Sequence, residues 1–79
     1  MFDFSELSDR INYGLKKTGK SQTKLAEECG VKSPSVNNWV TGKTKELMAS
    51  VAIKASKSLN VDLNWLITGK GSPDANAQD

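Results

Sequence analysis

Apolar side chains recur three and four positions apart along this chain, in five groups separated by glycines and short polar stretches. Phe4, Leu7, Ile11 and Leu15 make the first stripe. They predict a helix from about Ser5 to Lys17, with Asp3, Glu6 and Asp9 near its positive end, Lys16 and Lys17 in its last turn, and Gly19 to close it. Phe2 would extend that stripe. Leu25, Ala26 and Cys29 share one face of a second helix, started by the Ser21 hydroxyl and stopped at Gly30, after which Val31 anchors a turn. A third helix opens with Ser33 as cap and Pro34 at its first position, where a missing N–H costs nothing, and only Val36, Trp39 and Val40 in it can be buried. Leu47, Val51, Ala52, Ala55 and Leu59 keep helical spacing from Glu46 to about Leu59, with Met48 and Ile53 partly off the stripe. Asn60, which tolerates the left-handed conformation, ends that helix. Asp62 caps a last helix, Leu63 to Thr68, closed by Gly69, in which Trp65 and Leu66 face inward. The expectation is an all-α, compact five-helix bundle over residues 1–69. Residues 70–79, KGSPDANAQD, hold no large apolar side chain and are expected to be a disordered tail or the start of a linker.

The third helix is too short to stand alone, at about eight residues, so the helix before it must hold it. Small Ala26 lets the two backbones approach, Gly30 makes the bend, and Val36 with Trp39 pins one helix to the other. What stays exposed is a short, polar, uncharged face built from Ser33, Ser35, Asn37 and Asn38. An asparagine amide can pair bidentately with an adenine edge in the major groove, so the stretch from Ser21 to Gly42 reads as a DNA-reading unit. A helical hairpin with a merely solvated face is the plainer alternative.

Charge sharpens this picture more through its distribution than its sum. The net charge is only +2, yet residues 1–9 carry −3, residues 10–57 carry +7 and residues 58–79 carry −2. The positive block coincides with the proposed reading unit, as expected of a groove-facing module. Chemistry of other kinds finds little support. The sequence has no histidine, which removes His-based acid–base catalysis and the common zinc sites, and no pair of titratable groups is placed for an enzyme; neither metal nor cofactor is expected. The single cysteine, Cys29, reads as a small buried apolar group in a reducing compartment. Gly42-Lys43-Thr44 looks like the end of a phosphate-binding loop, but that motif needs a glycine where Asn37 stands. With no apolar run long enough to span a membrane and no signal peptide at its start, the chain is expected to be soluble and cytoplasmic.

The ordered set Gln22, Leu25-Ala26, Gly30-Val31, Ser35-Val36, Trp39, Gly42-Lys43-Thr44, Leu59-Asn60-Val61 and Asn64-Trp65-Leu66 resembles the helix-turn-helix domain of phage repressor and Cro proteins, the lambda-repressor-like fold, over residues 5–69. One departure stands out, since the family usually starts its fourth helix after a proline and none is present. The resemblance implies a bacterial DNA-binding transcriptional regulator, a phage or prophage repressor occupying a pseudo-palindromic operator as a homodimer. By position, Ser33, Pro34, Asn37 and Asn38 would face base edges, with Pro34 offering only apolar contact. Gln22, Lys24, Lys32, Ser35, Lys43, Thr44 and Lys45 would face phosphates, and Asn64 and Ile67 a dimer partner. It further implies that a C-terminal dimerisation and self-cleavage domain would follow a linker such as residues 70–79. A rival function on the same fold is an antitoxin-like protein that binds a toxin and represses its own operon.

Overall fold

The computed structural model describes residues 4–74, and over them the chain forms five α-helices and no strand. These are α1 (Leu7–Thr18), α2 (Gln22–Cys29), α3 (Ser33–Thr41), α4 (Ala49–Leu59) and α5 (Leu63–Thr68). Phe2 and Asp3, assigned above to the first stripe and its acidic start, lie outside the described residues. Helix α2 packs against both α3 and α4, α1 braces α3, and α5 lies on α4 and α1. Ile11, Leu25, Val36, Ala55, Leu59 and Leu66 have no exposed surface, and Trp65 next to none. Burial of side chains of this size stabilises by roughly 1.5–3 kcal/mol each, and that packing, rather than local propensity, holds helices as short as these.

The helix ends follow local chemistry. Ser21 Oγ accepts from the Lys24 N–H at 3.1 Å, and Asp62 Oδ2 accepts from the Trp65 N–H at 2.9 Å, so the two caps expected for α2 and α5 are made. At Gly30, φ +72° allows the chain to turn while the Val31 N–H reaches the Ala26 carbonyl at 3.0 Å, satisfying an end carbonyl of α2. Asn60 takes the left-handed conformation at φ 56° and ends α4.

Three helix starts differ from expectation. Helix α1 begins at Leu7 rather than Ser5, because Glu6 takes an extended conformation at φ −101° and ψ 140°; the Phe4 carbonyl before it accepts from Arg10 Nη1 at 2.6 Å. Lys32, not Ser33, occupies the cap position of α3 without a side-chain bond, which places Pro34 second in the helix. Helix α4 begins at Ala49 rather than Glu46. Thr44 N–H donates to the Asn38 carbonyl at 3.1 Å and Leu47 packs against the core, which draws residues 43–48 across the end of α3 in an extended path. The described part of the tail folds back on the body: the Asp62 N–H donates to the Pro73 carbonyl at 2.8 Å, and Lys17 pairs with Asp74. Residues 75–79 lie outside the described residues.

Gly14 sets the distance between α1 and α4. A Cβ there would sit 2.7 Å from Leu59 Cδ1 and 2.9 Å from Leu59 Cβ, and Leu59 is fully buried. Alanine is the better helix former by about 1 kcal/mol. Gly14→Ala is nonetheless expected to destabilise the domain by about 1–3 kcal/mol through overpacking, read as a lower urea midpoint. A raised midpoint would show that α1 and α4 can separate freely. No helix among the described residues is long and apolar enough to cross a membrane.

Candidate nucleic-acid interface

Helix α3 is fixed from two directions. Val36 is fully buried and Trp39 is 5% exposed, so its apolar side is committed to the core. On the α1 side, Asn12 Nδ2 donates to the Ser8 carbonyl at 2.9 Å and to the Val40 carbonyl at 3.2 Å, which ties the last turn of α3 to α1 and satisfies an end carbonyl that the helix cannot. The side left over carries Ser33, Pro34 and Asn37, all exposed, with Asn38 half-buried beside them. Ser33 with Asn37 and Pro34 with Asn38 are four apart, hence stacked on one helix face. Thr41 continues the Ser33–Asn37 row one turn on, with its hydroxyl donating to the Asn37 carbonyl at 2.9 Å.

The residues assigned to phosphates are less uniform. Gln22 is exposed at the first position of α2, where free N–H groups and the helix dipole favour an anion. Lys32 and Lys43 are exposed, and neither has an acidic partner among the described residues. Lys24 lies 3.9 Å from Glu28 and Lys45 3.7 Å from Glu6. Both pairs are solvent-exposed, worth little, and free to exchange the carboxylate for another anion. Ser35 and Thr44 are half-buried and turn into a groove of about 200 Å³ that they share with Val31, Trp39, Leu47, Met48 and Val51. Asn64 and Ile67 lie elsewhere, three apart on the exposed side of α5, with Ile67 50% exposed. Ile67, but not Asn64, lines a cavity of about 220 Å³ with Leu7, Arg10, Lys45, Glu46, Leu47 and Leu66.

Sequence reasoning passed over Asn12 and Arg10. Arg10 is 5% exposed and donates to the Leu66 carbonyl at 2.7 Å, the Phe4 carbonyl at 2.6 Å and the Ile67 carbonyl at 3.3 Å. Burial pulls its pKa below the ordinary value, against the opposing field of Glu6 and Asp9. Cys29 is buried and free, and burial, with Glu28 nearby, pushes its thiol up, so it stays protonated as the small apolar group expected.

The sequence model of the helix-turn-helix family matches residues 11–66. The chain is 36% identical over 69 residues to repressor protein CI of Enterobacteria phage phi80, a match covering 87% of this chain and 28% of that protein. It is 35% identical over 65 residues to the HTH-type transcriptional regulators for conjugative elements R391 of Providencia rettgeri and SXT of Vibrio cholerae, covering 82% of this chain and 29% of each. The chain thus spans less than a third of the length of these relatives.

Proposed function

The chain belongs to the Cro/C1-type helix-turn-helix family, and from that premise we propose that it is a transcriptional repressor that occupies a specific double-stranded DNA site as a dimer. The observation that carries this reading is the exposed row of Ser33, Pro34, Asn37 and Asn38 on a helix whose other sides are fixed by Val36, Trp39 and the Asn12 bond to Val40. A rigid helix with short polar groups on its free face can enter the major groove without ordering long side chains first. Asn37 and Asn38 then pair with adenine edges, and Pro34 meets a thymine methyl. Gln22 sets a phosphate on the start of α2, while Lys24, Lys32, Lys43 and Lys45 hold the backbone around it; such contacts position the protein without reading sequence. Two copies of so small a domain on a pseudo-palindrome, with half-sites about 34–36 Å apart, supply the specificity one copy lacks. Asn64 and Ile67 on α5 make the contact between copies. Of the two functions open from the sequence, repression is favoured over toxin binding because the matched relatives carry the names of a repressor and of transcriptional regulators.

The assignment of roles is separable by mutation. The backbone carbonyls of Asn37 and Asn38, not their amides, bond Thr41 and Thr44, so truncating either side chain leaves the fold intact. Asn37→Ala or Asn38→Ala is expected to cost about 1–3 kcal/mol on the selected site and little on random DNA, measured by anisotropy at fixed salt. Lys43→Ala is expected to weaken all duplexes alike and lower the salt slope by about one. Equal losses on specific and random DNA for the asparagine variants would remove them from base reading.

A further inference from the structure

The largest concentration of lysines that the DNA-binding reading leaves unused lies between α2 and α4. Lys20, Glu28, Lys54, Lys57 and Ser58 line an open cleft of about 390 Å³. Three lysines against one glutamate leave it at +2. We propose that this cleft docks an acidic segment of a partner protein, with Lys54 and Lys57 receiving its carboxylates.

One carboxylate already occupies part of the cleft and shows how it holds such a group. Lys20 Nζ donates to Glu28 Oε1 at 2.7 Å and to the Ser58 carbonyl at 2.7 Å, and the Ser58 hydroxyl bonds to the same glutamate oxygen. These bonds from Lys20 and then Ser58 hold Glu28 below the usual glutamate pKa, so it is charged at neutral pH and its presence consumes Lys20. Lys54 and Lys57 are exposed and have no ion-pair partner among the described residues. They stand three apart on one side of α4, and both line the cleft. Their complement is a pair of carboxylates with the same spacing, as on one face of a short acidic helix. Ile53, 43% exposed, lies one residue before Lys54 and four before Lys57. It adds an apolar contact that the core does not use.

The shape and place of the cleft favour protein over nucleic acid. A duplex is broad and carries its phosphates in long rows, whereas this cleft offers two lysines without an ion-pair partner among the described residues in a confined space. Helix α2 packs against both α3 and α4, and no residue of the Ser33–Asn38 row lines the cleft. Complementary charge of this kind contributes mainly to association rate and partner choice, and each exposed pair contributes little alone.

The test uses the whole chain, labelled with nitrogen-15, and as probe a helical peptide carrying glutamates three and four apart with leucines between them. The expected result is saturable amide shifts centred on Lys20, Lys54, Lys57 and Ser58, weakened at least tenfold in Lys54→Glu/Lys57→Glu. Lys54→Ala/Lys57→Ala is expected to weaken binding less, and Lys43→Ala to leave it unchanged, with circular dichroism checking that each variant is folded. Three results would overturn the proposal. One is shifts spread equally over Lys32 and Lys43; another is binding indifferent to charge reversal. The third is a random duplex, and not the peptide, producing the shifts at Lys54 and Lys57, which would make the cleft a nucleic-acid track.

Discussion

Trp65→Ala is expected to lower stability by about 3–5 kcal/mol, enough to leave a domain of this size mostly unfolded at moderate temperature. Trp65 is 1% exposed and sits where α5 meets the start of the chain. Its ring lies edge-to-face against Phe4, with centroids 5.3 Å apart, and against Tyr13 at 5.6 Å, and Phe4 and Tyr13 are themselves 5.3 Å apart in the same geometry. Such pairs contribute roughly 0.5–1.5 kcal/mol each beyond the area they bury. Removing the indole takes out two of these contacts and opens a cavity between α1 and α5. Trp65→Phe should keep part of both and lose less. Urea unfolding of the two variants checks this, and a loss below about 1 kcal/mol for the alanine variant would show that α5 is not part of the core, against the range given for such truncations.

Arg10→Met is expected to lose about 3 kcal/mol for a different reason. Methionine replaces the stem but not the fork. The Leu66 carbonyl, on a residue with no exposed surface, then loses its 2.7 Å donor. Phe4 is half-buried and Ile67 exposed, so their carbonyls can be rehydrated and the cost concentrates at Leu66. Arg10→Lys should recover only part of the loss, because one ammonium cannot reach three carbonyls in different directions. Thermal unfolding distinguishes these outcomes. A methionine variant as stable as the parent would mean that the end of α5 holds its own geometry.

These two residues mark the line between what the chain's pattern discloses and what it hides. Five helices, their order, the caps at Ser21 and Asp62 and the turn at Gly30 follow from interactions within a few residues, and such interactions leave a local imprint. Trp65 as a core residue was legible from its spacing with Leu66. Arg10 was not, because a guanidinium next to Ile11 reads as surface until α5 brings its end carbonyls across the fold. Gly14 likewise reads as a weak helix former, and only Leu59 opposite explains it. The start of α4 slipped by three residues for the same reason: no cap marks it, and the Thr44–Asn38 bond and the pull of Leu47 toward the core are tertiary.

The interface divides in a similar way. The exposed Ser33, Pro34 and Asn37 on α3 were readable because Val36 and Trp39 leave them only one side of the helix. The pairing of Lys45 with Glu6 and the turning of Ser35 and Thr44 into a groove were not, since both depend on where the segment after α3 crosses the bundle. Asn12 is the clearest omission. Its amide bridges α1 to the end of α3, so a residue far from the exposed row fixes the angle at which that row is presented.

The central claim, that this domain reads double-stranded DNA as a pair, is tested most directly by selection from a randomised duplex library at moderate salt, using the chain alone and a covalently linked dimer in parallel. The expected result is a two-fold symmetric motif with A·T pairs under Asn37 and Asn38, recovered by the linked dimer and more weakly by the single chain. Salt-sensitive background without a motif from both forms would contradict it.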